Sequence, residues 1–84
     1  MPYIRQELRR NALSCPITAG ELNFSFTHIA INYVNAKGLN YQTLNDIIGA
    51  FECCKAEFIR RIVNKYEDSK IAENGDVYPA APTE

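Results

Sequence analysis

Between Glu21 and Lys37 the chain runs for fifteen residues, Leu22 to Ala36, without a charged side chain, although charged residues make up 23% of the whole. Spacings of three and four put Leu22, Phe26, Ile29, Tyr33 and Ala36 on one face of a helix, while Phe24, Ile31 and Val34 fall on the other side. A surface helix has one apolar stripe and a charged back. This helix has two apolar faces, so it needs cover from two directions. The run is shorter than the roughly 20 residues that cross a bilayer, and it carries His28, Asn23, Asn32 and Asn35. It reads as a buried helix and not as a membrane span.

The flanks of the run carry start and stop signals. Thr18 and Glu21 have the spacing of a capping box, in which the Thr18 hydroxyl accepts from the Glu21 amide and the Glu21 carboxylate reaches back to Thr18. Ile17 and Leu22 stand where a hydrophobic staple would place them. The helix is expected from Ala19 to Lys37, stopped by Gly38 in a left-handed cap. Asn40 can cap the next helix, whose apolar series Leu44, Ile47, Ile48, Phe51, Cys54, Phe58, Ile62 and Tyr66 keeps the helical period. Nothing in the sequence interrupts it before Glu67, and it can extend to about Ala72, with Asn74-Gly75 as its stop. The short gap between the two helices predicts an antiparallel αα-hairpin. At the start of the chain, Pro2, Ile4 and Leu8 suggest a short helix ending near Arg9 and Arg10, followed by a connector from Asn11 to Ile17. The expected fold class is all-α: an antiparallel helical hairpin plus a short N-terminal helix, in one domain over residues 1–78. Pro79, Pro82 and their small neighbours predict a disordered tail over 79–84.

A chain of 84 residues buries only about 60 to 65% of the surface that its unfolded state exposes. In the hairpin, the last helix outruns the middle one. Its far end, with Phe58, Ile59, Ile62, Val63 and Tyr66, then needs cover. The N-terminal segment cannot cover both that end and the back of the middle helix, so a second copy is expected, giving at least a dimer and a four-helix bundle or larger helical assembly. Gly49, Ala50, Cys53 and Ala56 leave a smooth patch over which another helix can pass.

A net charge of -1 gives no electrostatic case for nucleic acid or an anionic membrane. Cys15, Cys53 and Cys54 form no CxxC pair and read as reduced thiols of a cytoplasmic protein, and the charged start MPYIRQELRR is unlike a signal peptide. One histidine cannot build a convincing catalytic triad. All-α nucleotide pyrophosphohydrolases hold magnesium with carboxylates one helical turn apart, but here Glu52 and Glu57 are five apart, and the Glu73–Asp76 pair spans the Asn74-Gly75 break. The sequence predicts neither an enzyme nor a cofactor nor a metal site.

Two features could bind a ligand. Ser25, His28, Asn32 and Asn35 form an uncharged polar strip between the apolar faces, suited to hydrogen-bonding a small polar ligand or to fixing register between chains. Lys55 falls in the middle of the apolar stripe, where it can act as an anion hook or lay its stem along the surface.

The segments MPYIRQELR, GELNF, KGLNYQTLNDIIGAFECCKAEFIRRIV and YEDSKIAENGDVY resemble a family of small phage and marine bacterial proteins that carry no known activity. The likeness covers residues 1–78 and departs from the pattern between Asn11 and Gly20, where related chains have a longer helical stretch. No catalytic residue follows from it. It does single out Asn23, Thr27, Glu67, Asp68, Lys70, Asn74, Asp76 and Tyr78, which match the family words without an obvious core role. Asn23 and Thr27, four apart, are expected to bond on one helix face. The leading expectation is a non-enzymatic interaction or structural accessory protein, phage-related and homo-oligomeric, with room for a further protein partner. Its alternatives are a small-molecule or nucleotide-sequestering oligomer with a pocket between chains, and an enzyme subunit whose site is completed on assembly.

Overall fold

The structure, a computed structural model, describes residues 2–79, so the expected tail lies outside the described residues from 80 onwards. A 3-10 turn at Gln6–Leu8 leads into α1 (Arg9–Ser14), followed by α2 (Ala19–Lys37), α3 (Tyr41–Phe58), a π-helical turn (Ile59–Val63) and α4 (Asn64–Asn74). There is no strand among the described residues, and the fold is all-helical. The chain divides into two compact units, Met1–Ile48 and Gly49–Glu84, with the division falling inside α3.

In the first unit α2 has the bounds that its caps dictate. Thr18 is extended, with φ −131° and ψ 162°, and its Oγ1 accepts from the Glu21 amide at 3.1 Å. The Glu21 carboxylate reaches back one residue further than expected, accepting from the Ile17 amide at 3.2 Å, and the side chain is buried in doing so. Such caps contribute about 1 kcal/mol. The expected staple does not form, because Ile17 is 79% exposed. At the other end Gly38 has φ +97° and ψ 155°, and its amide donates to Val34 O at 2.7 Å. That combination lies outside the left-handed helical well and belongs to a region that glycine alone occupies readily.

The N-terminal segment corrects the sequence reading twice. Asn11–Ser14 are helical and not part of a connector, and Arg9 and Arg10 begin α1 instead of ending a helix. Basic residues are unfavourable at a helix N-terminus. Arg9 offsets this by donating from Nε to Ile4 O at 3.2 Å and by lying 5.5 Å from the centroid of the Phe24 ring. That contact holds α1 against the Phe24 side of α2, so the N-terminal segment covers the back of the middle helix. Ala12 is the one buried apolar side chain among the described residues, while Leu22, Phe26 and Ile29 on the opposite face of α2 stay exposed.

Asn40 caps the next helix as expected, its Oδ1 accepting from the Thr43 amide at 2.9 Å. Between α2 and α3 the Tyr33 hydroxyl donates to Asp46 Oδ2 at 2.9 Å, and Gln42 Nε2 donates to the other carboxylate oxygen at 2.7 Å.

In the second unit the helix does not run uninterrupted. At Ile59–Val63 the bonding pattern widens, the Asn64 amide donating to Ile59 O, five residues back. Helix then continues beyond the expected Ala72 to Asn74, and Gly75 stops it with φ +88° and ψ 148°, its amide donating to Ile71 O at 2.8 Å. Along this unit Phe51, Phe58, Ile62 and Tyr66 are all exposed, Phe58 by 58%.

Candidate functional site

The residues singled out from the sequence fall into separate groups. On α2 the expected Asn23–Thr27 link is present: Thr27 Oγ1 lies 2.9 Å from Asn23 O and 3.4 Å from Asn23 Oδ1, so its proton goes to the backbone carbonyl first. A hydroxyl bonded back to its own helix in this way is a local satisfaction of the side chain. Of the polar strip, Ser25 and His28 are half-buried, while Asn32 and Asn35 are exposed. The His28 ring stands 5.9 Å from Phe24, tilted by 32°, which places the imidazole beside the ring that Arg9 covers. Lys55 lies exposed on α3.

The C-terminal motif gathers into one place. Gly75 turns the chain out of α4, and the Asp76 carboxylate accepts from the Tyr78 amide at 3.0 Å, an Asx turn that folds the last described residues back towards the helix. An open cleft of about 430 Å³ results, with Glu67, Lys70, Asn74, Asp76 and Tyr78 among its polar lining and Ile71 and Val77 as its apolar part. Asn74, Asp76 and Tyr78 therefore come together as one group. Asp68 is not part of the lining, and its neighbour Glu67 is. A helix exposes one of two adjacent residues to any given side, and the sequence does not say which until the direction of the turn after Gly75 is known.

Lys70 is the one cation of this lining. Its Nζ is 3.4 Å from Glu73 Oε1 and 5.5 Å from the centroid of the Tyr66 ring. The remaining polar groups are two carboxylates, an amide and a phenol, an array that can hydrogen-bond a polar molecule but offers no nucleophile with an adjacent base. Among the described residues no three His, Cys, Asp or Glu side chains are grouped to hold a metal ion, and no helix is long and apolar enough to cross a membrane. In the first unit, the Tyr33 phenol is pushed above its ordinary value of about 10 by its hydrogen bond to Asp46, with burial and the carboxylate charge adding to the effect.

No curated protein and no solved structure matches the chain. A family model described as a domain of unknown function, DUF6899, matches residues 1–77, and the chain belongs to that family.

Proposed function

We propose that this member of the DUF6899 family is a non-enzymatic interaction or structural accessory protein that works as a homo-oligomer in the cytoplasm, with helical hairpins of α2 and α3 assembled into a bundle of at least four helices. One observation carries the reading: Phe51, Phe58, Ile62 and Tyr66 follow one another along the second unit, all exposed, Phe51 by 42% and Ile62 by 55%. Single exposed apolar residues are ordinary, but a continuous row of large ones marks an interaction surface. Each is already partly covered, so a second chain gains only about half of the 1.5 to 3 kcal/mol of full burial per side chain, and the row as a whole supplies the contact. The exposed Leu22, Phe26 and Ile29 face of α2 supports a further contact in the same assembly. Sedimentation of the purified chain at micromolar concentration is expected to give a multiple of 9.5 kDa, and a mass of 9.5 kDa would overturn the proposal.

The cleft at the C-terminal motif favours a second reading, a small-molecule or nucleotide-sequestering oligomer. Lys70 supplies a cation for an anionic group and Tyr78 an aromatic surface, both in the cleft lining. A nucleotide held there would stabilise the folded chain by about 2.7 kcal/mol at a hundredfold excess over its dissociation constant, read as a rise in melting temperature. No shift with any nucleoside mono-, di- or triphosphate would leave the structural reading alone.

A further inference from the structure

Charges along the helix of the second unit are arranged so that the sequence complements itself when reversed about Arg61. We propose that this stretch, from Gly49 to Glu73, pairs antiparallel with the same stretch of a second copy, with the two Arg61 residues at the centre. The proposal rests on the homo-oligomer reading above and adds to it the interface, the direction and the register.

The π turn is the first reason. Phe51 and Phe58 are seven apart and share a face of α3. Ile62 and Tyr66 follow at spacings of four, and in an unbroken α-helix Tyr66 would lie about 80° round from Phe58. A π turn has roughly 4.4 residues per turn, so five residues of it take back about 90°. Placed at Ile59–Val63, it brings Phe58, Ile62 and Tyr66 into line, and the stripe continues straight into α4.

Charge decides what covers that stripe. When two copies run antiparallel about Arg61, residues equally far from it meet: Glu57 meets Lys65, Lys55 meets Glu67, and Glu52 meets Lys70. Two-fold symmetry makes each of these pairs occur twice. Glu57 and Lys65 flank one side of the stripe, and Lys55 and Glu67 flank the other, as facing pairs in an antiparallel pair of helices require. Phe58 reaches between Ile62 and Tyr66 of the second copy. A parallel pair in register would set every charge against itself. The central Arg61 residues are the like-charged contact, and each lies 3.5 Å from its own Glu57, a carboxylate that it shares with Arg60 at 2.9 Å. Glu73, at the end of the overlap, is held by its own Lys70. A register centred on Asn64 would oppose Arg60 to Asp68, but both of these lie on the face away from the stripe.

The test uses two full-length variants that each keep one thiol, at a pair that flanks the stripe on the same side: C15S/C53S/C54S/K55C and C15S/C53S/C54S/E67C. Both positions are exposed, so neither substitution disturbs packing. Mixed and treated with a short bis-maleimide, the two variants should be joined to each other as a covalent dimer, identified by isotope labelling of one of them. Joining of the K55C variant to itself would overturn the antiparallel direction. No joined dimer, in a sample that still sediments above 9.5 kDa, would overturn this interface and leave the homo-oligomer reading standing; sedimentation at 9.5 kDa would remove both. As an independent check of the register, E57K should weaken dimerisation by about threefold to tenfold, and E57K/K65E should restore it. Failure of the double variant to recover would place Glu57 opposite something other than Lys65.

Discussion

The two units are built from the same kind of helix but are held in different ways. In Met1–Ile48 a side chain from one element fixes another: Arg9 lies on Phe24, Glu21 closes the entry to α2, and Tyr33 reaches Asp46. Among the described residues of Gly49–Glu84 the hydrogen-bonded and ionic pairs are local, such as Arg60 with Glu57 at 2.9 Å and Lys70 with Glu73 at 3.4 Å. Exposed pairs three or four residues apart contribute only a few tenths of a kcal/mol each. The first unit thus carries its own tertiary fastening, and the second is a helix whose apolar stripe is exposed. A helix is easy to form from local signals, whereas a packed one needs something to pack against.

That contrast can be broken most sharply at the stripe. F58D/I62D removes four apolar side chains from a dimer and replaces them with charge, so association should weaken by well over a hundredfold, measured by sedimentation over a dilution series. An unchanged mass would mean that the stripe is not the contact. In the first unit G38A forces alanine into a backbone region that costs about 1 to 3 kcal/mol, which should lower the unfolding midpoint in urea. T18A should cost about 1 kcal/mol by the same measurement and leave the oligomer mass unchanged, which separates the fastening of the first unit from assembly.

The smallest effect is the pH dependence of Tyr33. The neutral phenol donates to Asp46, so its folded pKa is raised above the unfolded value. Its contribution to stability is therefore fully present below about pH 10 and is lost as pH rises through the higher folded value. Phenolate absorbance should show one tyrosine ionising late, and Y33F should remove that late step. A Y33F titration curve with the late step intact would assign the shift to another tyrosine.

Much of this was legible in the sequence where a local signal decided the outcome. Thr18, Glu21 and Gly38 gave both ends of α2, and Asn40 gave the start of α3. The segment Asn11–Ser14 reads as a connector because Arg9 and Arg10 look like the end of a helix, whereas the Phe24 ring and the Ile4 carbonyl, both outside that segment, make Arg9 tolerable at its start. The π turn leaves no signature in propensity. Its trace is the spacing of Phe58, Ile62 and Tyr66 by four, one residue too wide to stay on the heptad stripe through Tyr66. At the C-terminal motif the residues were visible but their arrangement was not, since whether Glu67 or Asp68 lines the cleft depends on how the chain leaves Gly75.

The two glycine stops carry a consequence about handedness. Gly38 and Gly75 share nearly the same backbone, φ +97° with ψ 155° and φ +88° with ψ 148°. Positive φ is the disfavoured half of the map for an L residue and the ordinary half for a D residue. A chain made by chemical ligation with D-alanine at both positions should keep both helix ends. It would also begin from a less disordered unfolded state than glycine allows and so melt higher, whereas L-alanine at the same places would melt lower. At these two residues the helix stops depend on the sign of φ, which L and D residues prefer oppositely.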